Sequence, residues 1–153
     1  MSRAFVKETD DSFESLPDRP ISPHQNLVTP EGLALIEAAL ARLRQERTVA
    51  HETNDRAAQA RIDRDLRYWT SRHSTAQVIR APQETDVVRF GSTVTIARDD
   101  ERRASYRIVG EDEADPAKGS ISYVSPLAQA LLGKRIGDSL RAGKDEAEIT
   151  AIA

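Results

Sequence analysis

Thr29-Pro30-Glu31-Gly32-Leu33-Ala34-Leu35-Ile36 opens the stretch that decides the fold, which runs on to Ile79 and reads as two helices folded back on each other. Thr29 offers a side-chain oxygen to free backbone N–H groups, Pro30 fills the first helical position, and Glu31 sits at the positive end of the helix dipole. Leu33, Ile36, Leu40 and Leu43 follow at spacings of three, four and three, a heptad seam that needs a partner. Downstream, Ile62, Leu66, Trp69, His73 and Ala76 continue that spacing at four, three, four and three. Between the seams, Ala50-His51-Glu52-Thr53-Asn54-Asp55 is rich in turn and cap residues, and the chain is expected to reverse there. A two-helix hairpin buries too little apolar area to stand alone, which predicts a rod anchored at its open end on a globular base.

With 153 residues, 39% of them apolar and 31% charged, the chain has room for one domain or two small ones of ordinary soluble composition. It has no cysteine, which excludes disulfides and thiolate metal sites. The start, Met1 to Glu8, lacks the apolar run of a signal peptide, and no later segment is long and apolar enough to span a bilayer, so a cytoplasmic location is expected. The net charge of -3 is unevenly spread: residues 30–80 carry 9 basic and 7 acidic side chains, whereas residues 81–153 carry 10 and 13. Arg56, Arg61, Arg64, Arg67 and Arg72 of the second helix form either a solvated face or one turned to an acidic protein or a nucleic-acid backbone.

Residues 1–28, with Pro17, Pro20 and Pro23 and no periodicity, read as an extended arm whose Phe5, Phe13, Leu16 and Ile21 could dock on the base. The hairpin occupies residues 29–80 and a second domain residues 81–153. After the linker Ala81–Asp86 come strand signals at Val87–Phe90 and Thr93–Ala97, with a charged turn, Arg98 to Arg102, pairing the latter with Ala104–Val109. An acidic loop, Gly110 to Gly119, leads to a short strand at Ile121–Val124. Ser125-Pro126-Leu127-Ala128-Gln129-Ala130-Leu131-Leu132-Gly133 has the serine cap, first-position proline and terminal glycine of a short helix. Closing strands at Ile136–Leu140 and Ala147–Ile152 complete a small antiparallel domain, so the fold class is α+β.

Four runs carry a resemblance. Tyr106-Arg107-Ile108-Val109-Gly110-Glu111-Asp112-Glu113-Ala114-Asp115, then Ser125 to Lys134 with Gly137-Asp138, resemble the C-terminal domain of the bacterial Gre transcript cleavage factors. Leu27-Val28-Thr29-Pro30-Glu31-Gly32-Leu33 resembles the start of their first helix, and Arg64-Asp65-Leu66-Arg67-Tyr68-Trp69 is similar to the GreB branch. The resemblance implies a coiled-coil hairpin on an FKBP-like domain, with RNA polymerase as partner and nucleic acid met only through the transcription complex. It also implies that the domain docks at the rim of the polymerase secondary channel, with Asp112, Glu113, Asp115, Ser125, Pro126 and Gln129 as docking residues. In the family, two acids at the hairpin tip help to hold a catalytic magnesium ion inside the polymerase; the factor itself binds no cofactor and is no enzyme.

This sequence departs from that pattern twice. Asp55 matches the first tip acid, but Ala58 stands where the second belongs, and Glu52 is the candidate substitute because positions three apart share a helix face. Matching the family also needs a deletion of about ten residues from each arm, about 15 Å of reach. Both departures favour channel binding over stimulated cleavage. Alternative expectations are a competitor of full-length Gre factors, a short-hairpin regulator of nucleoside diphosphate kinase, and an FKBP-like prolyl isomerase, the last disfavoured because residues 81–153 hold only Phe90, Tyr106 and Tyr123 as aromatics. Trp69 and His73 are expected to pack at the seam, Tyr68 to pack on the C-terminal domain, and Ser125 to be a cap rather than a nucleophile.

Overall fold

The computed structural model describes residues 15–153; Phe5 and Phe13 lie outside the described residues. The described chain forms two compact units, one of residues 15–23 with Ile36–Thr75, the other of His24–Leu35 with Ala76–Ala153. Among the described residues no helix is long and apolar enough to cross a membrane.

Helix α1 spans Pro30–Glu52 and helix α2 Arg56–Thr75. Their 23 and 20 residues correspond to about 34 and about 30 Å. Thr29 caps α1 as expected, its Oγ1 accepting the Gly32 N–H at 3.0 Å. The reversal is tighter than the polar run suggested, because α1 continues to Glu52 and only Thr53, Asn54 and Asp55 separate the helices. Asn54 takes φ 53°, a left-handed conformation that asparagine tolerates better than most side chains.

In the first unit the helices pair antiparallel. Gln59 Nε2 donates to the Ala50 carbonyl at 3.0 Å, Arg47 meets Asp63 at 3.2 Å, and His73 meets Glu37 at 3.4 Å, so the partners step outward together on either side of the turn. Leu43, Ala50 and Ile62 form the buried seam, with Ala58, Leu66 and Trp69 packed against it. The open end departs from the heptad expectation. Leu33 belongs to the second unit, and Ala76 follows the last helical residue. His73 is exposed, held at the surface by its polar contact with Glu37, while Arg72, read as part of a charged face, is 2% exposed.

The second unit holds a five-stranded sheet of β3 (Thr93–Arg98), β4 (Arg103–Val109), β5 (Ser120–Ser122), β6 (Ser139–Ala142) and β7 (Asp145–Ile152), in the order β5-β4-β3-β7-β6. Short strands β1 (Leu27–Val28) and β2 (Gln77–Val78) pair parallel in a separate two-stranded ladder, too brief to leave a sequence signal. Alternation along β3 buries Val94 and Ile96, which join Ile108, Ile121, Leu131 and Ile149 in the core beneath helix α3 (Pro126–Leu131).

Three expectations are corrected here. The sheet is mixed, because β4 and β5 run parallel; the acidic stretch from Gly110 to Gly119 is the crossover that a parallel pair requires. Val87–Phe90 is not a strand: Val88 donates to the Lys134 carbonyl and accepts from the Gly133 N–H, both at 2.9 Å, so it is bonded to the end of α3 rather than to a ladder. The strand expected from Ile136 starts only at Ser139, since the Arg135 N–H donates to Asp138 Oδ2 at 2.8 Å and closes a turn first.

Candidate functional site

The hairpin tip is built by a helix cap. Asp55 precedes α2, its Oδ1 accepting the Ala58 N–H at 3.1 Å and its backbone carbonyl the Gln59 N–H at 3.0 Å. One carboxylate oxygen is therefore engaged at the helix N-terminus, where free N–H groups favour an anion. Glu52 ends α1, so it and Asp55 do not share one helix, and the three-residue spacing that made Glu52 a substitute does not apply. Both acids are exposed. Beside the tip runs a groove of about 660 Å³, floored by Leu43, Ala50 and Ile62, with Asp55 and Arg61 on its rim.

In the second unit the six expected docking residues separate into three groups. Ser125 precedes α3 and caps it as expected, its Oγ accepting the Ala128 N–H at 3.3 Å, while Pro126 and Gln129 stand on the helix and are exposed. Asp112 and Asp115 lie half-buried in the crossover, and Asp115 exchanges backbone hydrogen bonds with Ser120 at 2.9 and 3.1 Å.

Glu113 faces inward. Its Oε2 accepts the Thr29 N–H at 2.9 Å and the Gly110 N–H at 3.3 Å, and its Oε1 accepts the Thr29 hydroxyl. The crossover is thus fastened to the first turn of α1 by one carboxylate, and this joint is absent from the sequence reading. Two glycines were its only trace. A Cβ on Gly32 would fall on the Glu113 carboxylate, and one on Gly110 would meet the Leu27 carbonyl. A glycine in the first turn of a helix is costly without such a packing reason.

Next to this joint, Arg107 NH2 donates to Glu31 Oε2 at 3.3 Å. The Glu31 backbone N–H, then Arg107, hold the Glu31 carboxyl below its ordinary value of 4.5. A depressed acid contributes stability above its unfolded value that is lost as pH falls through the folded one. Glu31→Gln is accordingly expected to lower the urea midpoint at neutral pH, with the gap to the unsubstituted protein closing below pH 4.5. The aromatics that an isomerase pocket would need are otherwise employed: Phe90, Tyr106 and Tyr123 pack against the core, Phe90 and Tyr123 meeting edge to face at 5.7 Å.

Comparison with known proteins agrees with the resemblance. The family described as "Transcription elongation factor, GreA/GreB, C-term" matches residues 83–153. Transcription elongation factor GreB of Neisseria meningitidis is 41% identical over 97 residues, 60% of this chain and 60% of that protein's length. Transcription elongation factor GreA of Desulfovibrio desulfuricans is 37% identical over 132 residues, covering 74% of this chain and 82% of that one. Among solved structures, GreA factor homolog 1 (Gfh1) of Thermus thermophilus aligns over 85% of this chain and 99% of its own at 26% identity, with a TM-score of 0.43. With more than four fifths of a curated relative matched at this identity, the chain belongs to the GreA/GreB family of transcription elongation factors.

Proposed function

We propose that this chain binds RNA polymerase at the secondary channel and regulates elongation by occupying it, without delivering a metal ion. The observation that carries this reading is the tip: Asp55 spends one oxygen on the Ala58 N–H, and Ala58 itself carries no acid. A second magnesium ion needs several oxygen ligands at once, and a single half-engaged carboxylate supplies too few. A helix of about 30 Å also reaches less far than the family's longer arms.

The test adds the purified chain to a backtracked elongation complex, alone and with a cleavage-competent GreB. Occupancy predicts no accelerated cleavage alone and a dose-dependent loss of GreB-stimulated cleavage. Asp55→Ser keeps an oxygen for the cap and removes the charge, so it should compete as well as the unsubstituted chain, whereas Asp55→Ala should lose about 1 kcal/mol of stability. Accelerated cleavage that Asp55→Ser abolishes would overturn the proposal and restore a metal role to the tip.

A further inference from the structure

Residues 16–21 have no helix or strand, yet they lie along the outer face of α2 through specific contacts. Arg67 donates from Nε to Asp18 Oδ1 at 2.5 Å and from NH2 to the Leu16 carbonyl at 2.9 Å. Arg19 NH1 donates to Asp65 at 3.4 Å, and its guanidinium carbon lies 3.9 Å from the Tyr68 ring centroid and 5.9 Å from that of Trp69. Tyr68 and Trp69 meet edge to face at 5.1 Å, so Tyr68, expected to pack on the C-terminal domain, is sandwiched within the first unit. Acid then base on the arm faces base then acid on the helix, an order that fixes direction as well as position. Pro17, Pro20 and Pro23 recur at the three-residue period of a polyproline helix, a backbone that loses little entropy on docking to aromatic side chains.

These contacts hold weakly. The Arg67–Asp18 pair is open to water, with the Asp18 side chain 72% exposed, and such pairs are screened by salt, while Arg19 and Asp65 are only part-buried. The contact is also loose, with a groove of about 170 Å³ left between Ile21, Tyr68 and Ser71.

We propose that residues 16–21 are a releasable strap that restrains the hairpin. Docked, the strap thickens the hairpin near the middle of α2, lying against Arg67 and Tyr68; released, it leaves a slimmer rod for the polymerase to accept. This gate rests on the channel-occupancy reading above, since a strap restrains insertion only if the hairpin is inserted.

Trp69 is the single tryptophan, so its fluorescence in the full chain reports the strap directly. Arg19→Ala should raise acrylamide quenching of Trp69 with the far-ultraviolet circular dichroism unchanged. Raising NaCl from about 0.05 to about 1 M should do the same to the unsubstituted protein and add little to the variant. Arg19→Lys, which keeps the charge but loses the planar stack, should fall between. At low salt Arg19→Ala should bind core polymerase roughly fivefold tighter, because the strapped form no longer reduces the competent fraction. Unchanged quenching in Arg19→Ala overturns the strap. Altered quenching with equal polymerase affinity overturns the gate while channel binding stands, and failure of both proteins to bind polymerase removes the occupancy reading and the gate with it.

Discussion

Glu113→Ala is expected to lower the unfolding free energy of the full chain by about 3 kcal/mol, read from its urea midpoint. The carboxylate accepts from the Thr29 N–H, the Thr29 hydroxyl and the Gly110 N–H. Thr29 is 1% exposed and Gly110 is buried, so water cannot easily replace the lost acceptor for either N–H. Stranding a buried donor costs about 1–3 kcal/mol, and bonds to a charged acceptor lie at the upper end. Glu113→Gln keeps the length and one acceptor oxygen, and should cost about 1 kcal/mol. Gly32→Ala should mimic the alanine variant from the other side, because its new methyl takes the space of the carboxylate. Equal stability of Glu113→Ala and the unsubstituted chain would return Glu113 to the docking residues, free to face a partner.

A larger loss is expected in the sheet. Ile96 is fully buried on β3, the middle strand, paired with Ala104 on one side and Ile149 on the other. Ile96→Ala removes apolar surface and leaves a hole that neighbours bonded into ladders cannot close, a cost of about 4 kcal/mol. Ile96→Val, which removes a single methyl group, should cost about 1 kcal/mol. Leu35→Ala serves as the comparison: Leu35 is 57% exposed, and its truncation should stay within about 0.5 kcal/mol. A loss at Ile96 no larger than at Leu35 would mean that β3 is not the centre of the core.

Legibility followed the range of the forces involved. The caps at Thr29 and Ser125 act across three residues, and the structure shows both where the sequence placed them. The Leu43 and Ile62 seam and the alternation along β3 were equally readable, because periodicity is a property of a short window. Val88 shows the opposite case. It is apolar, buried and strand-like in composition, but its backbone partners lie at Gly133 and Lys134, and no local pattern reports them.

The candidate site divides in the same way. Asp55 was legible as a tip residue; that its oxygen is committed to Ala58 depended on where α1 stopped and α2 began, which composition leaves open by a few residues. The strap was not legible, because Arg19 and Asp18 resemble any solvated charges until helix α2 stands opposite them.

By itself the sequence determined the two helices, their caps and seam, the strand-rich second half and the family, all of which rest on spacings within a few residues or on motifs read as strings. Only the tertiary structure decided that β5 runs parallel to β4, that Glu113 turns inward, and that Arg19 lies on Tyr68. Those outcomes join groups 84 residues apart in the case of Thr29 and Glu113 and 46 apart in that of Arg19 and Asp65. A carboxylate or a guanidinium takes whichever partner the folded backbone brings within about 3 Å, and its own sequence neighbours do not encode which one that is.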